Sequence, residues 1–110
     1  METRQMRYLV AIADHGSLTR AAETLNVAQP ALSQALTRLE NELGVRLFER
    51  SRRGAALTLA GRAIMDDVRA SLARAEAAAT KARAIGAGRA GRLTIGFVTQ
   101  AVYVLSLIHI

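Results

Sequence analysis

The richest set of hydrogen-bonding side chains in the sequence falls on one face of a helix predicted between Ala28 and Gly44. The opposite face carries an inward apolar stripe at spacings of four, three and four residues: Leu32, Leu36, Leu39 and Leu43. Almost every residue on the outer face can donate or accept a hydrogen bond, which suits the base edges and phosphates of DNA. That face holds Gln29 at the start of the helix, followed by Pro30, Ser33, Gln34, Thr37, Arg38 and Asn41.

A second set with binding chemistry is the basic cluster of Arg50, Arg52 and Arg53. Residues 45–59 contain two short apolar runs around residues 51–54, a pattern that predicts a hairpin with a basic tip. A hairpin tip is often charged for solubility alone. We favour a role in DNA binding, because the cluster closely follows the polar helix and narrow minor grooves attract Arg.

Catalytic and metal-binding constellations are not predicted. His15 and His109 have no partners at the spacing of a metal site or a catalytic triad. Asp66 and Asp67 are adjacent, and neighbours on a helix point about 100° apart, which indicates a solvated face. Since the chain contains no Cys, thiolate metal sites and disulfides are excluded. We therefore expect no enzyme activity, no metal and no cofactor.

Charge agrees with an acidic partner but does not identify it. The net charge is +6, and 14 of the 15 basic residues are Arg. Arg suits phosphate and guanine recognition, although an Arg-rich genome composition explains the bias equally well. The apolar run at the start is too short for a signal peptide, so we expect a cytoplasmic protein without a membrane span.

The elements that position these residues form a helix-turn-helix. A first helix is predicted from Met6 to Asp14 and stops at Gly16, and Ser17 caps the next helix. Ala22 allows close approach of two helices, and Asn26 tolerates the left-handed backbone that a tight turn needs. This spacing is typical of the motif that places its second helix in the major groove.

The segment closely resembles the DNA-binding domain of the LysR-type transcriptional regulators. Five sub-motifs in order support the resemblance: LVAIADHG (9–16), SLTRAAETL (17–25), QPALS (29–33), LENELGVRLFER (39–50) and LTLAG (57–61). It implies a mainly α fold: a winged helix-turn-helix, with three helices and a β-hairpin wing, followed by a long linker helix. One departure concerns Ala28, where the family usually has a capping Ser or Thr, whose loss costs about 1 kcal/mol.

The resemblance also implies residue roles. Gln29, Ser33 and Gln34 match the base-facing positions of the family, and the basic hairpin tip matches a wing that approaches the minor groove or its phosphates. We expect DNA contacts from Ser17, Thr19, Gln29, Pro30, Ser33, Gln34, Thr37, Arg38, Arg50, Arg52 and Arg53.

An Ala-rich helix is predicted from Thr58 to Ile85, with an apolar seam that repeats at spacings of three and four. Such a seam indicates a partner helix, although an Ala-rich helix can also be an exposed spacer. The resemblance favours a homodimer through this linker helix, within a tetramer in full-length relatives. The dimerisation residues expected are Met65, Val68, Leu72, Ala75, Ala79 and Ala82.

The resemblance to the LysR-type family decays toward the C-terminal residues. GAGRAG (86–91) predicts a flexible linker, and RLTIGFV (92–98) resembles the first strand of the family's effector-binding domain. We interpret the apolar end as that of a truncated or frameshifted product; the alternative is a shortened natural protein. The predicted organisation is a DNA-binding domain at 1–59, a linker helix at 60–85, a flexible linker at 86–91 and an effector-domain fragment at 92–110, with no small-molecule effector expected.

Three hypotheses follow for function. The first is a sequence-specific regulator of transcription that binds double-stranded DNA. The second is an interaction fragment that pairs with full-length relatives through the linker helix. The third, a membrane-surface segment, is the weakest, because the apolar residues form a folded stripe rather than one amphipathic face.

Overall fold

The computed structural model describes residues 1–88, which form four helices and one two-stranded antiparallel sheet. The chain divides into two units, residues 1–73 and 74–110. The elements are α1 (Thr3–His15), α2 (Leu18–Leu25), α3 (Gln29–Leu43), β1 (Phe48–Ser51), β2 (Gly54–Leu57) and α4 (Leu59–Gly86). The predicted mainly α winged helix-turn-helix, followed by a long helix, is confirmed. The predicted strand at 92–98, the end of the linker at 89–91 and His109 lie outside the described residues.

The turn between α2 and α3 has the local chemistry that the sequence indicates. Ser17 precedes α2, and its Oγ accepts a hydrogen bond from the backbone N–H of Arg20 at 3.2 Å. Asn26 ends α2 with φ of 59°, in the left-handed region. Ala22 is buried, which allows the helices to approach closely. These features form the short turn that separates α2 from α3.

The core of residues 1–73 lies among α1, α2, α3, the hairpin and the first half of α4. Its most completely buried large side chains are Leu9, Ile12, Leu32, Leu47 and Phe48. Each fully buried side chain of this size contributes about 1.5–3 kcal/mol. The core therefore packs against the inner face of α3 and fixes the orientation of its outer face.

The inward stripe predicted on α3 ends earlier than expected. Leu36 and Leu39 are buried, but Leu43 is 47% exposed. The reason is that helical periodicity assigns Leu43 to the apolar side, whereas the last turn of α3 extends to the edge of the core. There Leu43 lines an open apolar groove with Met6 and Ile64.

The wing is a tight hairpin fastened to the helical body. Phe48 pairs with Leu57 and Ser51 with Gly54, which leaves a two-residue loop. The backbone N–H of Ala55 donates to the carbonyl of Gly16 at 2.9 Å. Gly54 lies so close to that carbonyl that a Cβ would collide with it, which explains a glycine at this position. The strands are shorter than the predicted hairpin, and Val45 is exposed before β1.

The start of α4 packs against the chain that enters the wing. Thr58 donates through Oγ1 to the carbonyl of Arg46 at 2.7 Å, and its Oγ1 accepts from the N–H of Gly61 at 3.1 Å. A Cβ at Gly61 would collide with the carbonyl of Leu47. Thr58 thus acts as the cap of α4 and fixes its direction of departure.

An ion pair joins α4 to α1. Arg69 Nη2 lies 2.7 Å from Asp14 Oδ1, and this hydrogen bond raises the pKa of Arg69. Because both side chains are about half exposed, the pair adds little stability. Within residues 1–88, no helix has the length and hydropathy required to cross a membrane.

Candidate nucleic-acid interface

The outer face of α3 is polar except at Pro30. Ser33 is half-buried at its edge, and the remaining members of the face are exposed. They are Gln29, Pro30, Gln34, Thr37, Arg38 and Asn41. An amide, a hydroxyl and a guanidinium on one exposed helix can address both base edges and phosphates.

The beginning of α3 has no side-chain cap. Ala28 precedes the helix in an extended conformation and supplies no capping hydrogen bond. Pro30, in the first turn, has no N–H to satisfy, which reduces the number of donors left open. As the alanine at position 28 predicts, no side-chain hydroxyl caps α3.

The wing touches the polar face directly through one arginine. Arg50 Nη1 donates to Ser33 Oγ at 2.8 Å. Arg50 also lines a cleft with Thr37, Asn41 and Arg46, between the second half of α3 and the approach to β1. The wing and α3 therefore form one continuous surface, a relation that the spacing of 17 residues could not reveal.

The two remaining wing arginines occupy the loop of the hairpin. Arg52 and Arg53 are exposed, and the backbone N–H of Arg53 donates to Ser51 Oγ at 3.2 Å. That bond tightens the turn and leaves both guanidinium groups at the tip of the wing. Their expected contact with DNA stays a prediction.

The start of α2 lies beside the wing. Ser17 is half-buried and adjoins Gly54, whereas Thr19 is exposed on the first turn of α2. Ser17 already accepts a hydrogen bond as a cap, and its hydroxyl proton remains a possible donor. The structure thus brings Ser17 near the wing, while the role of both residues in binding DNA stays a prediction.

Sequence reasoning missed Glu40, which fastens the wing to α3. Its side chain is buried, and Oε2 accepts from the backbone N–H groups of Leu47 at 2.7 Å and Phe48 at 3.2 Å. Arg46 Nε lies 3.8 Å from the other carboxylate oxygen. The available signal was weak: on a helical wheel Glu40 falls at the border between the two faces of α3, about 40° from the inward Leu36 and about 20° from Ser33 on the polar face.

The burial of apolar residues along α4 differs from the expectation that the whole seam needs a partner helix. Met65 and Val68 belong to the core of residues 1–73, with 6% and 5% exposure, and Leu72 is 8% exposed. Burial at these positions does not require a second chain. In residues 74–86, Ala75 is half-buried, and Ala79 and Ala82 are exposed. Dimerisation through the seam stays a prediction, and these alanines are the members still accessible.

The histidine and aspartate side chains that could support catalysis or metal binding do not form a cluster within residues 1–88. His15 Nε2 lies 3.0 Å from Thr24 Oγ1, which joins the ends of α1 and α2. Asp66 and Asp67 are both exposed on α4. Among residues 1–88, no three His, Cys, Asp or Glu side chains are grouped so that they could hold a metal ion.

Comparison with known proteins gives one consistent result. Residues 3–62, more than half of the chain, match the family described as bacterial regulatory helix-turn-helix protein, lysR family. The HTH-type transcriptional regulator TfdS of Cupriavidus pinatubonensis is 42% identical over 111 residues, which cover 99% of this chain and 38% of TfdS. The HTH-type transcriptional regulator BudR of Klebsiella aerogenes is 47% identical over 100 residues, which cover 91% of this chain and 70% of BudR.

The structural comparison agrees with the sequence comparison. The protein in the crystal structure of the CbnR_DBD-DNA complex aligns with a TM-score of 0.70 and 42% identity, covering 78% of this chain and 99% of that one. Both of these relatives, TfdS and BudR, are transcriptional regulators. This chain spans 38% of the length of TfdS.

Proposed function

The chain belongs to the lysR family of bacterial regulatory helix-turn-helix proteins, and on that premise we propose that it binds double-stranded DNA sequence-specifically to regulate transcription. The observation that carries the proposal is the continuous surface made by the polar face of α3 and Arg50 of the wing. A DNA complex of a protein 42% identical to this chain supports the same reading.

In the proposed mode of binding, α3 enters the major groove with its polar face toward the bases. Gln29, Ser33 and Gln34 supply donors and acceptors for base edges, which carry a distinct pattern for each base pair in that groove. Arg52 and Arg53, at the tip of the wing, approach phosphates or the adjacent minor groove. Phosphate contacts set the position of the protein, and base contacts set its specificity.

The proposal is tested by selecting binding sites from random duplex DNA with the purified chain, followed by affinity measurements across a range of salt concentrations. We expect an enriched motif and an affinity that falls linearly with the logarithm of salt concentration, because Arg contacts release counterions from phosphates. Failure to enrich any motif, with equal affinity for all duplexes, would contradict sequence-specific binding.

We further propose that the chain forms a homodimer through α4. A single recognition helix reads only a few base pairs, which gives too little selectivity among the competing sites of a genome. The exposed Ala79 and Ala82 allow close helix approach, although alanine buries little apolar area. The same surface supports a second candidate function, pairing with longer relatives, and co-purification of the chain with such a relative would test it.

A further inference from the structure

The polar face of α3 has two flanks, and a different element borders each. On one flank, Ser33 and Thr37 adjoin the wing through Arg50. On the other flank, Arg38 lines a groove with the N-terminal part of α1. Ser33 and Arg38 are five residues apart, which places them about 140° apart around the helix. The wing and α1 therefore stand on opposite sides of the proposed recognition surface.

The groove on the α1 side has both polar and apolar lining residues, and its charged side chains carry net positive charge. Its charged members are Arg4, Arg38 and Glu2, and both arginines are exposed. Gln5 is held at the start of α1 by its Oε1, which accepts from the backbone N–H of Glu2 at 2.7 Å. Two guanidinium groups and one carboxylate leave a charge of about +1, and an anion is favoured there.

We propose that Arg4 and Arg38 form a second phosphate-contact site, which holds the DNA strand across the major groove from the wing. The inference rests on the proposed function. An α-helix is about 10–12 Å wide with its side chains and the major groove is about 12 Å wide, so the two phosphate backbones approach both flanks of an inserted helix. The forked guanidinium of Arg matches the geometry of phosphate oxygens.

The site is tested with Arg4→Ala and Arg38→Ala in the complete chain, measured against a selected duplex and a random duplex at several salt concentrations. Each variant should weaken binding to both duplexes by the same factor. Each should also reduce the slope of log affinity against log salt by about 0.9, the value for one lost phosphate contact on duplex DNA. Arg4→Lys keeps the charge and should retain the slope.

Two further variants separate a local contact from overall charge. Arg74→Ala removes the same charge from an exposed position of α4 and should leave the slope unchanged. Glu2→Gln removes the carboxylate from the groove and should strengthen binding to all duplexes. We expect these variants to remain folded, because Arg4, Glu2 and Arg74 are all exposed. Circular dichroism checks the fold of each variant.

The outcomes distinguish this site from the proposed function. Wild-type binding with an unchanged salt slope in Arg4→Ala would overturn the site and leave DNA binding intact. The same slope loss in Arg74→Ala as in Arg4→Ala would also overturn it, because the effect would then reflect net charge. A wild-type chain that binds no duplex at any salt concentration would overturn the proposed function itself.

Discussion

Gln34 is one of three exposed amides on the polar face of α3. A glutamine amide can pair with adenine through two hydrogen bonds, which discriminate against a wrong base by about 1–3 kcal/mol. Gln34→Ala should therefore relax preference at one or two base pairs and leave affinity for random DNA almost unchanged. Competition binding with point-substituted duplexes measures the effect.

The matched control for Gln34 is Arg53→Ala at the tip of the wing. A phosphate contact carries no sequence information, so this variant should weaken binding to every duplex and lower the salt slope by about one unit. If Gln34→Ala weakens specific and random duplexes equally, the base-facing role of Gln34 is wrong.

Ser33 and Arg50 are linked by a hydrogen bond of 2.8 Å, in which the Ser33 oxygen is the acceptor. This contact directs the hydroxyl proton of Ser33 away from Arg50 and leaves it available to another acceptor. We predict that Ser33→Ala and Arg50→Ala are coupled by about 0.5–3 kcal/mol in a double-mutant cycle on a selected duplex. The coupling should be absent on random DNA.

Arg52 provides the control for this cycle, because it lies at the tip of the same wing. Ser33→Ala combined with Arg52→Ala should be additive, since no hydrogen bond joins these two side chains among the described contacts. Additivity of Ser33→Ala with Arg50→Ala would show that the wing does not orient Ser33.

At the scale of secondary-structure elements, Glu40 determines how the wing sits against α3. Its buried carboxylate accepts hydrogen bonds from two backbone N–H groups of the chain that enters β1. A hydrogen bond to a charged group contributes about 1.5–3 kcal/mol to the free energy of unfolding. Glu40→Ala should lower the free energy of unfolding by a comparable amount. Glu40→Gln, which keeps one acceptor oxygen, should cost less. Urea denaturation measures both.

Glu42 lies two residues further along α3 and is exposed. Glu42→Ala should change the free energy of unfolding by less than about 0.5 kcal/mol, the usual range for surface substitutions. An equal loss of stability in Glu40→Ala and Glu42→Ala would show that the contact between Glu40 and the wing contributes nothing.

The C-terminal part of α4 carries the accessible members of the predicted dimer seam. Leu72 is a poor test of that seam, because a charge at this buried position would destabilise the chain by itself. Ala79 is exposed, and Ala79→Glu should shift the chain toward monomer by placing a charge in the contact between helices. Sedimentation equilibrium measures the change.

Ala77 supplies a matched control on the same helix. It is exposed and lies about 160° from Ala79 around the helix, so Ala77→Glu should leave association unchanged. Equal effects of the two substitutions would place the dimer contact elsewhere.

For the whole molecule, a twofold dimer requires a twofold site. Two recognition helices should reach inverted half-sites whose spacing follows the helical repeat of DNA, about 10–10.5 base pairs per turn. Inserting about five base pairs between the half-sites turns one of them to the opposite face of the duplex and should abolish cooperative binding. Mobility shifts on the original and altered duplexes measure this, and equal cooperativity would contradict a rigid twofold arrangement.

The sequence alone determined the class of fold and the face of α3 that carries polar chemistry. Ser17 and Asn26 act through their own backbone neighbourhoods, and the structure confirms the cap and the left-handed turn. The leucine spacing likewise identified the buried side of α3 over Leu32 to Leu39. Local rules suffice here, because the residues involved lie within about two helical turns of one another.

Only the tertiary structure decided which element covers each apolar face. Periodicity assigned Leu43 and Met65 to apolar faces, yet Leu43 is exposed, and Met65 is buried within the single chain. The contacts of Glu40 with Leu47 and of Arg50 with Ser33 join different elements. Helical spacing gives the direction of a side chain about its own axis, whereas burial depends on where the other helices and the wing are packed.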